Sequence, residues 1–443
     1  MRYGYPDTHV LYRDLARDYP LIVHGEGCWL VDRNGRRYLD ACGGAYVACL
    51  GHGVPEVVEA VTEQIRRVAY VSGMSFTNEA AESLADELAS LTLGDLDQFY
   101  FLSSGSDAIE AALKLARQYW VERGRPAKSA LVAQAPGYHG NTLLALSAGA
   151  REHSRRLFEP WLVDVTRVPA PYPYRCPCRG EDPSCPRCSG RALEEAILRV
   201  GPEKVAAFIA EPVGGSSTGA SVPRPDYWRT VREICDRHEV LWIADEVLVG
   251  AGRTGTWSSL EPFGAVPDIQ VLGKGLSGGY APLAAVAAPR RIVDVLAASS
   301  KAVLHAQTYS HTPMMCSAGV AAVRYIKGHD LVTRCARMGK LLHQKLRALC
   351  ALPFVGDIRG RGLLAGIEFV EDTASRAPFP REKRFAERFT LAAERAGLMV
   401  WPNTGHADGA NGDLVVLAPP YIISEAEIDE IVDRFRSALE SVV

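Results

Sequence analysis

Five near-continuous apolar runs punctuate the middle of the chain: Gln98-Phe99-Tyr100-Phe101-Leu102, Ala130-Leu131-Val132-Ala133, Ala206-Ala207-Phe208-Ile209-Ala210, Leu241-Trp242-Ile243-Ala244 and Ile269-Gln270-Val271-Leu272. A strand with one wet face would alternate apolar and polar residues, and these runs do not. Stretches of helical character separate them. The pattern predicts an α/β fold whose mostly parallel sheet is covered by helices on both faces. Upstream, Leu21-Ile22-Val23, Cys28 to Asp32 and Tyr38-Leu39-Asp40 read as short strands, with Asn34-Gly35 as a hairpin signal. Val57, Val58, Val61, Ile65 and Val68 fall at helical spacing, and a second helix is expected over about 78–91. From about Ala318 the pattern predicts a long helix, a strand pair over 362–369, a helix over 381–396 and two final strands. That last third is expected to pack with residues 1–60. The expected division is 1–65 and 316–443 as a smaller α+β domain from both termini, around a large domain at 66–315.

Composition narrows the class. A chain of 443 residues, 47% hydrophobic and 23% charged, is a globular protein rather than a disordered one. A net charge of −3 gives no nucleic-acid footprint. Met1 to Thr8 lacks the apolar run of a secretion signal, and no apolar stretch reaches the roughly 18 residues of a membrane span. The 11 cysteines, odd in number and mostly scattered, suit a reducing compartment, so the expected location is the cytoplasm.

Ligands of such sheets bind beyond the C-terminal strand ends, and the suggestive residues fall there. Ser103-Ser104-Gly105-Ser106-Asp107-Ala108 leads into a helix expected to begin near Ala108, a turn whose backbone N–H groups could receive a phosphate. Plain N-capping by Ser106 or Asp107 is the alternative. Gly137-Tyr138-His139-Gly140 offers an aromatic that could stack on a flat ring. Glu211-Pro212-Val213 follows the third run, and Asp245-Glu246-Val247 the fourth. The fifth leads to Gly273-Lys274-Gly275, a lone lysine in an apolar, glycine-rich setting, costly unless paired or neutralised. A phosphate cradle, an aromatic plate, two acids and a desolvated lysine are the equipment for pyridoxal phosphate. Lys274 would form a Schiff base with its aldehyde. Asp245 would keep the pyridine nitrogen protonated, and Val247 would pack beneath the ring.

Together with Gly250-Ala251-Gly252-Arg253-Thr254-Gly255, Thr308-Tyr309-Ser310, Gly412-Asp413 and Ala418-Pro419-Pro420, these motifs resemble the class III (omega-type) aminotransferases. That family lies in the fold-type I pyridoxal-phosphate superfamily, and the likeness covers nearly the whole chain. The resemblance implies a seven-stranded sheet and a cofactor held by Ser104, Gly105, Ser106, Tyr138, His139, Glu211, Asp245, Val247 and Lys274. Thr308 would reach the phosphate of a neighbouring subunit, so a homodimer is implied, with a tetramer as the larger alternative. The implied reaction is ping-pong transfer of an amino group from an amine or an omega- or beta-amino acid to pyruvate or 2-oxoglutarate. Racemases, epimerases and aminomutases use the same fold and residues and stay open as the alternative.

Substrate choice depends on residues outside these motifs. Tyr46 occupies a place where relatives often carry a pocket aromatic, although an ordinary half-buried strand tyrosine would look the same. The stretch from Val400 and Trp401 to Asn411 lacks the arginine that several relatives use for substrate carboxylates. Arg151 or Arg253 would then serve, Arg253 being equally an ion-pair residue. Within the loop 175–188, Cys176, Cys178, Cys185 and Cys188 could bind a structural zinc, form disulfides or stay free.

Overall fold

In the computed structural model, which describes residues 3–442, seven strands form one sheet. Their order is Gln98–Leu102, Ala284–Ala288, Ile269–Leu272, Leu241–Glu246, Val205–Ala210, Ala130–Ala135 and Thr166–Pro169. Residues 1, 2 and 443 of the expected spans lie outside the described residues. The Ala284–Ala288 strand runs antiparallel to both its neighbours, and the pairings from Ile269–Leu272 to Thr166–Pro169 are parallel. This strand and Thr166–Pro169 are absent from the five runs. One is built from alanine and a single valine, and the other is four residues long at the sheet edge, so neither carries a strong apolar signal.

The pleat divides the central strands between two cores. Ile209, Ile243 and Val271 pack beneath the helix Gly105–Glu122, with Ala108, Ile109 and Ala112 facing them. Phe208, Trp242 and Ala244 face the opposite way onto the helix Tyr227–Arg237, where Trp228 stacks on Trp242 at 5.1 Å. Both faces of Val205–Ala210 and Leu241–Glu246 are therefore buried, which is why these strands do not alternate.

Two smaller sheets flank this core. Ile22–Glu26, Trp29–Asp32 and Arg37–Asp40 pair antiparallel, and Leu398–Met399 joins them parallel to Arg37–Asp40. Val355–Arg361, Leu364–Phe369, Asp413–Leu417 and Trp401–Thr404 form the other, wholly antiparallel. The long helix expected from Ala318 is two helices, Pro313–Gly328 and Leu331–Leu346, broken at Asp330, whose φ is +47°. A final helix, Glu425–Glu440, follows the last strand and was not anticipated. Its start is marked by a capping box, with Ser424 Oγ accepting from the Glu427 N–H and Glu427 from the Ser424 N–H.

Glu368, at the centre of the second sheet and fully buried, collects an unusual set of partners. Arg175 reaches it at 2.6 Å, Arg359 at 2.9 Å and His406 Nε2 at 3.2 Å, and Tyr172 donates its hydroxyl. Burial alone would raise its carboxyl. The Arg359 guanidinium, His406 and Arg175 outweigh that and hold it well below the usual glutamate range. Replacing Glu368 by alanine leaves Arg175 without its carboxylate and Arg359 with Asp357 alone, and should cost about 3–5 kcal/mol in denaturant unfolding. Because the folded carboxyl titrates below its unfolded value, the contribution is full above the ordinary glutamate range and fades as the pH falls through the folded value. A variant less than about 1 kcal/mol weaker would show that water solvates the cluster.

Candidate active site

The parallel strands deliver their C-terminal ends to one edge, and the motif residues meet there. Leu241–Glu246 is central, so Asp245 lies between the turn after Ile269–Leu272, which carries Lys274, and the end of Val205–Ala210, which carries Glu211. Tyr138 and His139 arrive one strand further along, from Ala130–Ala135. Ser104, Gly105, Ser106, Tyr138, His139, Gly140, Glu211, Ser216, Asp245, Val247, Leu248 and Lys274 line one cavity.

Within this cavity the adjacent acids Asp245 and Glu246 separate by pleat. Asp245 meets His139 Nδ1 at 2.7 Å through Oδ2 and accepts the Val247 N–H through Oδ1 at 3.1 Å. Glu246 points to the other face, where the Ser258 hydroxyl, the Ser259 N–H and Gln270 Nε2 satisfy it. Glu211 accepts the N–H groups of Tyr138 and Gly215, each at 3.1 Å, and burial pushes its carboxyl up against the nearby His139. Lys274 sits in a tight turn with φ +45°, a conformation a lysine adopts only when its surroundings impose it. Burial pushes its ammonium down, opposed by Asp245 and Glu211 and helped by Arg151.

The helix Gly105–Glu122 begins three residues earlier than expected, and its N-cap is Ser104, whose hydroxyl accepts the Asp107 N–H at 3.2 Å. Capping by Ser106 or Asp107 is thereby corrected. Ser106 Oγ instead accepts the Asn141 N–H at 3.1 Å, tying the helix start to the Gly140 turn. Val247 fills the floor: a Cβ on Gly105 would stand 2.8 Å from its Cγ1, so only glycine lets the helix start approach so closely.

Comparison with known proteins shows the family. The profile of the family described as aminotransferase class-III matches residues 15–439. An uncharacterised aminotransferase of Schizosaccharomyces pombe is 41% identical over 440 residues, covering 98% of this chain and 96% of that protein. The chain is a class III aminotransferase. An (S)-enantioselective omega-transaminase from Thermomicrobium roseum superposes with a TM-score of 0.92 at 34% identity, over 99% of this chain and 97% of that one. An amine transaminase from an uncultivated Pseudomonas species, solved with pyridoxal phosphate bound, superposes at 0.90 and 31% identity, over 100% and 99%. Pyridoxal phosphate is the cofactor of this aminotransferase family, and the donor set fits it. The first-turn N–H groups suit a phosphate, a buried carboxylate suits a cationic ring nitrogen, and an enclosed amine suits a carbonyl.

The substrate side of the aminotransferase differs more from expectation. Tyr46 is not in a strand: it ends a short turn, Gly43–Tyr46, with φ +67°, and is buried. Its ring lies 5.5 Å from Lys274 Nζ and 5.6 Å from the Trp401 ring. Arg151 stands over the Tyr138 ring at 4.5 Å and donates to the hydroxyls of Ser216 and Ser217. Arg253 does not join the site. It is buried against Tyr421 and donates to the carbonyls of Leu363 and Pro419, so it is neither a pocket residue nor an ion-pair residue among the described residues. Thr308 is exposed and outside the cavity of its own chain, its carbonyl accepting the Tyr70 hydroxyl at 3.0 Å. Beyond Trp401 the loop folds back, with His406 turned inward to Glu368.

Sequence reasoning overlooked Ser216 and Gln307, and gave Gly140 no role beyond its place in the Tyr138 motif. Ser216 lies in the small-residue run after Glu211-Pro212-Val213, a strand-end position that was the available signal. Gln307 donates to Ser103 Oγ at 2.6 Å, bracing the turn before the helix Gly105–Glu122 from a distant segment without any local pattern. At Gly140, with φ +140°, an added Cβ would stand 2.6 Å from Ser106 Oγ. Strain of about 1–3 kcal/mol is expected from Gly140→Ala, weakening cofactor affinity roughly tenfold or more. Equilibrium dialysis of the apoprotein against pyridoxal phosphate measures this, and unchanged affinity would show that the turn relaxes freely.

Proposed function

We propose that this aminotransferase moves an amino group from an amine or an omega- or beta-amino acid to a keto acid such as pyruvate or 2-oxoglutarate, in two half-reactions at one site. The observation that carries the reading is the position of Lys274, enclosed beside Asp245 and Glu211 and facing an aromatic wall. Pyridoxal phosphate, when bound, supplies the electron-accepting ring. Ser104, Gly105 and Ser106 would hold its phosphate, Tyr138 would stack on the ring, and Asp245, oriented by His139, would pair with the ring nitrogen. Val247 would support the ring from below and Glu211 would lie near the ring hydroxyl. Lys274 would bind the cofactor covalently through Nζ. Freed by an incoming amine, the neutral Nζ would take the proton from the substrate carbon and deliver it to the carbon on the far side of the amino nitrogen, two atoms away. Its depressed pKa keeps that amine unprotonated at a lower pH than an ordinary lysine.

The wall opposite Lys274 favours amines with an apolar body. Tyr46 belongs to a buried cluster with Val213, Leu248, Leu364 and Val416, and the half-buried Trp401 packs against it. The carboxylate of the keto acid would exchange the serine contacts of Arg151 for a charge-assisted pair. Tyr70 meets Thr308 and Tyr309 at an exposed surface next to Gln307, and the same stretch of chain exposes Met74 and Phe76, which supports assembly as a homodimer with Thr308 directed to the partner site. Eleven unpaired cysteines support the cytoplasm as the compartment. The units 1–65, 66–315 and 316–443 are our division of the chain, supported by the pairing of Leu398–Met399 with Arg37–Asp40.

Incubation with pyruvate and a donor panel spanning monoamines, diamines, beta- and omega-amino acids should yield alanine. Product that keeps its amino group, with no alanine, would identify a racemase, epimerase or aminomutase instead. Arg151→Gln should raise the KM for pyruvate about tenfold or more and leave the half-reaction with an uncharged amine nearly unchanged. Equal losses in both half-reactions would remove Arg151 from carboxylate binding. Light scattering of the holoenzyme should give about twice the chain mass, and a monomer with full activity would refute the shared site.

A further inference from the structure

Between the strand Thr166–Pro169 and the helix Ala192–Val200 the chain makes a long excursion over the surface. From Arg175 to Cys188 it contains no valine, isoleucine, leucine, methionine, phenylalanine, tryptophan or tyrosine, so it has no apolar core of its own. It is nevertheless compact. The Arg179 N–H bonds the Cys176 carbonyl at 2.9 Å, the Glu181 N–H the Cys178 carbonyl at 2.9 Å, and the Cys188 N–H the Cys185 carbonyl at 3.1 Å. These turns bring four sulfurs to one point. The sulfurs of Cys176 and Cys178 are 3.3 Å apart, those of Cys176 and Cys185 3.6 Å, and those of Cys178 and Cys188 3.4 Å. All four lie within 4.8 Å of one another.

We propose that Cys176, Cys178, Cys185 and Cys188 form a tetrathiolate site for one structural zinc ion. The spacings decide among the chemistries open to four thiols. A disulfide needs sulfurs about 2.05 Å apart, and none of these cysteines is bonded to another. Zinc–sulfur bonds of about 2.3 Å in a tetrahedron set neighbouring sulfurs about 3.8 Å apart, inside the range observed here. A cluster of several metal ions would push its cysteines wider. Cys176 and Cys188 are buried, all four thiolate positions are filled by protein, and no ligand place remains for a substrate, so the ion is structural. The Cys176-x-Cys178 half is tighter than a usual zinc knuckle, and the turn closed by Arg179 onto Cys176 lets both sulfurs converge.

The placement gives the ion a task. Arg175, immediately before Cys176, is one of the two guanidinium groups on Glu368, and the carbonyl of Gly180 accepts Arg224 Nη1 at 2.9 Å. Cys188 leads into the helix beside Tyr227. The metal thus supplies the core that this excursion lacks and fastens the segment carrying Arg175.

Elemental analysis of the holoenzyme, produced without a metal-affinity tag in medium containing trace zinc and iron, should find about one zinc per chain. A mercurial reagent should release that zinc in step with thiol titration, and cobalt exchanged for it should show the intense visible bands of a tetrahedral thiolate site. The double variant C178S/C185S should lose the zinc while keeping the visible absorbance of bound cofactor. If that variant fails to fold, the metal content and cobalt spectrum of the native protein decide alone. Iron in place of zinc, only traces of metal, disulfides within 176–188 by mass spectrometry, or zinc retained by a folded double variant would each overturn the proposal.

Discussion

The contact between Asp245 and His139 stands at the centre of the sheet's C-terminal edge, and much of the site is arranged about it. A carboxylate so placed has to be oriented and partnered, because desolvation penalises an unpaired charge heavily. His139 meets one oxygen and the Val247 N–H the other, which directs the group into the cavity. Glu211, in the same cavity, holds the backbone of the Tyr138 turn, so the loop bearing His139 is fixed by the second acid. Lys274 then lies in a field set by both carboxylates and by Arg151, with burial as the opposing influence. The cationic, anionic and apolar walls are interdependent, and few could change without another responding.

The convergence of these residues on one cavity is legible in the sequence because they are strand-end residues. A buried parallel strand announces itself as an apolar run, and the residues just beyond its C-terminal end must lie at the sheet edge. Lys274, Asp245, Glu211 and Tyr138 could therefore be placed together without knowing the strand order. Strands with weak apolar signal escaped, Ala284–Ala288 above all. The final helix was also overlooked although Ser424 and Glu427 spell its start. Away from the strand ends, Arg151 and Arg253 could not be told apart in sequence. What separates them is tertiary: Arg151 reaches Ser216 of the cavity wall and its neighbour Ser217, whereas two backbone carbonyls from distant segments claim Arg253. Tyr46 was placeable near the site but not in a strand, because its left-handed backbone depends on packing rather than on local pattern.

Glu368 joins parts of the chain that are far apart in sequence. Arg175 comes from the cysteine-bearing excursion, Arg359 from a neighbouring strand, His406 from the loop beyond Trp401 and Tyr172 from the segment after the sheet's edge strand. Each could be solvated separately at the surface, yet here they share one carboxylate in the interior. The wall around Trp401 is thereby anchored from behind by charge, while its front is apolar and shaped by Tyr46. Such a wall can alter its front side chains while its position stays fixed.

The opposed directions of Asp245 and Glu246 bear on how this chain can diverge. Inserting or deleting a single residue within Leu241–Glu246 would rotate the strand end by one pleat, presenting Ala244 or Glu246 to the cavity and turning Asp245 away to the face that carries Trp242. Length variation in that strand is therefore closed to descendants of this protein. The exposed turn from Asp408 to Ala410, beyond the anchored His406, carries no such register, so length can vary there without disturbing the strand end.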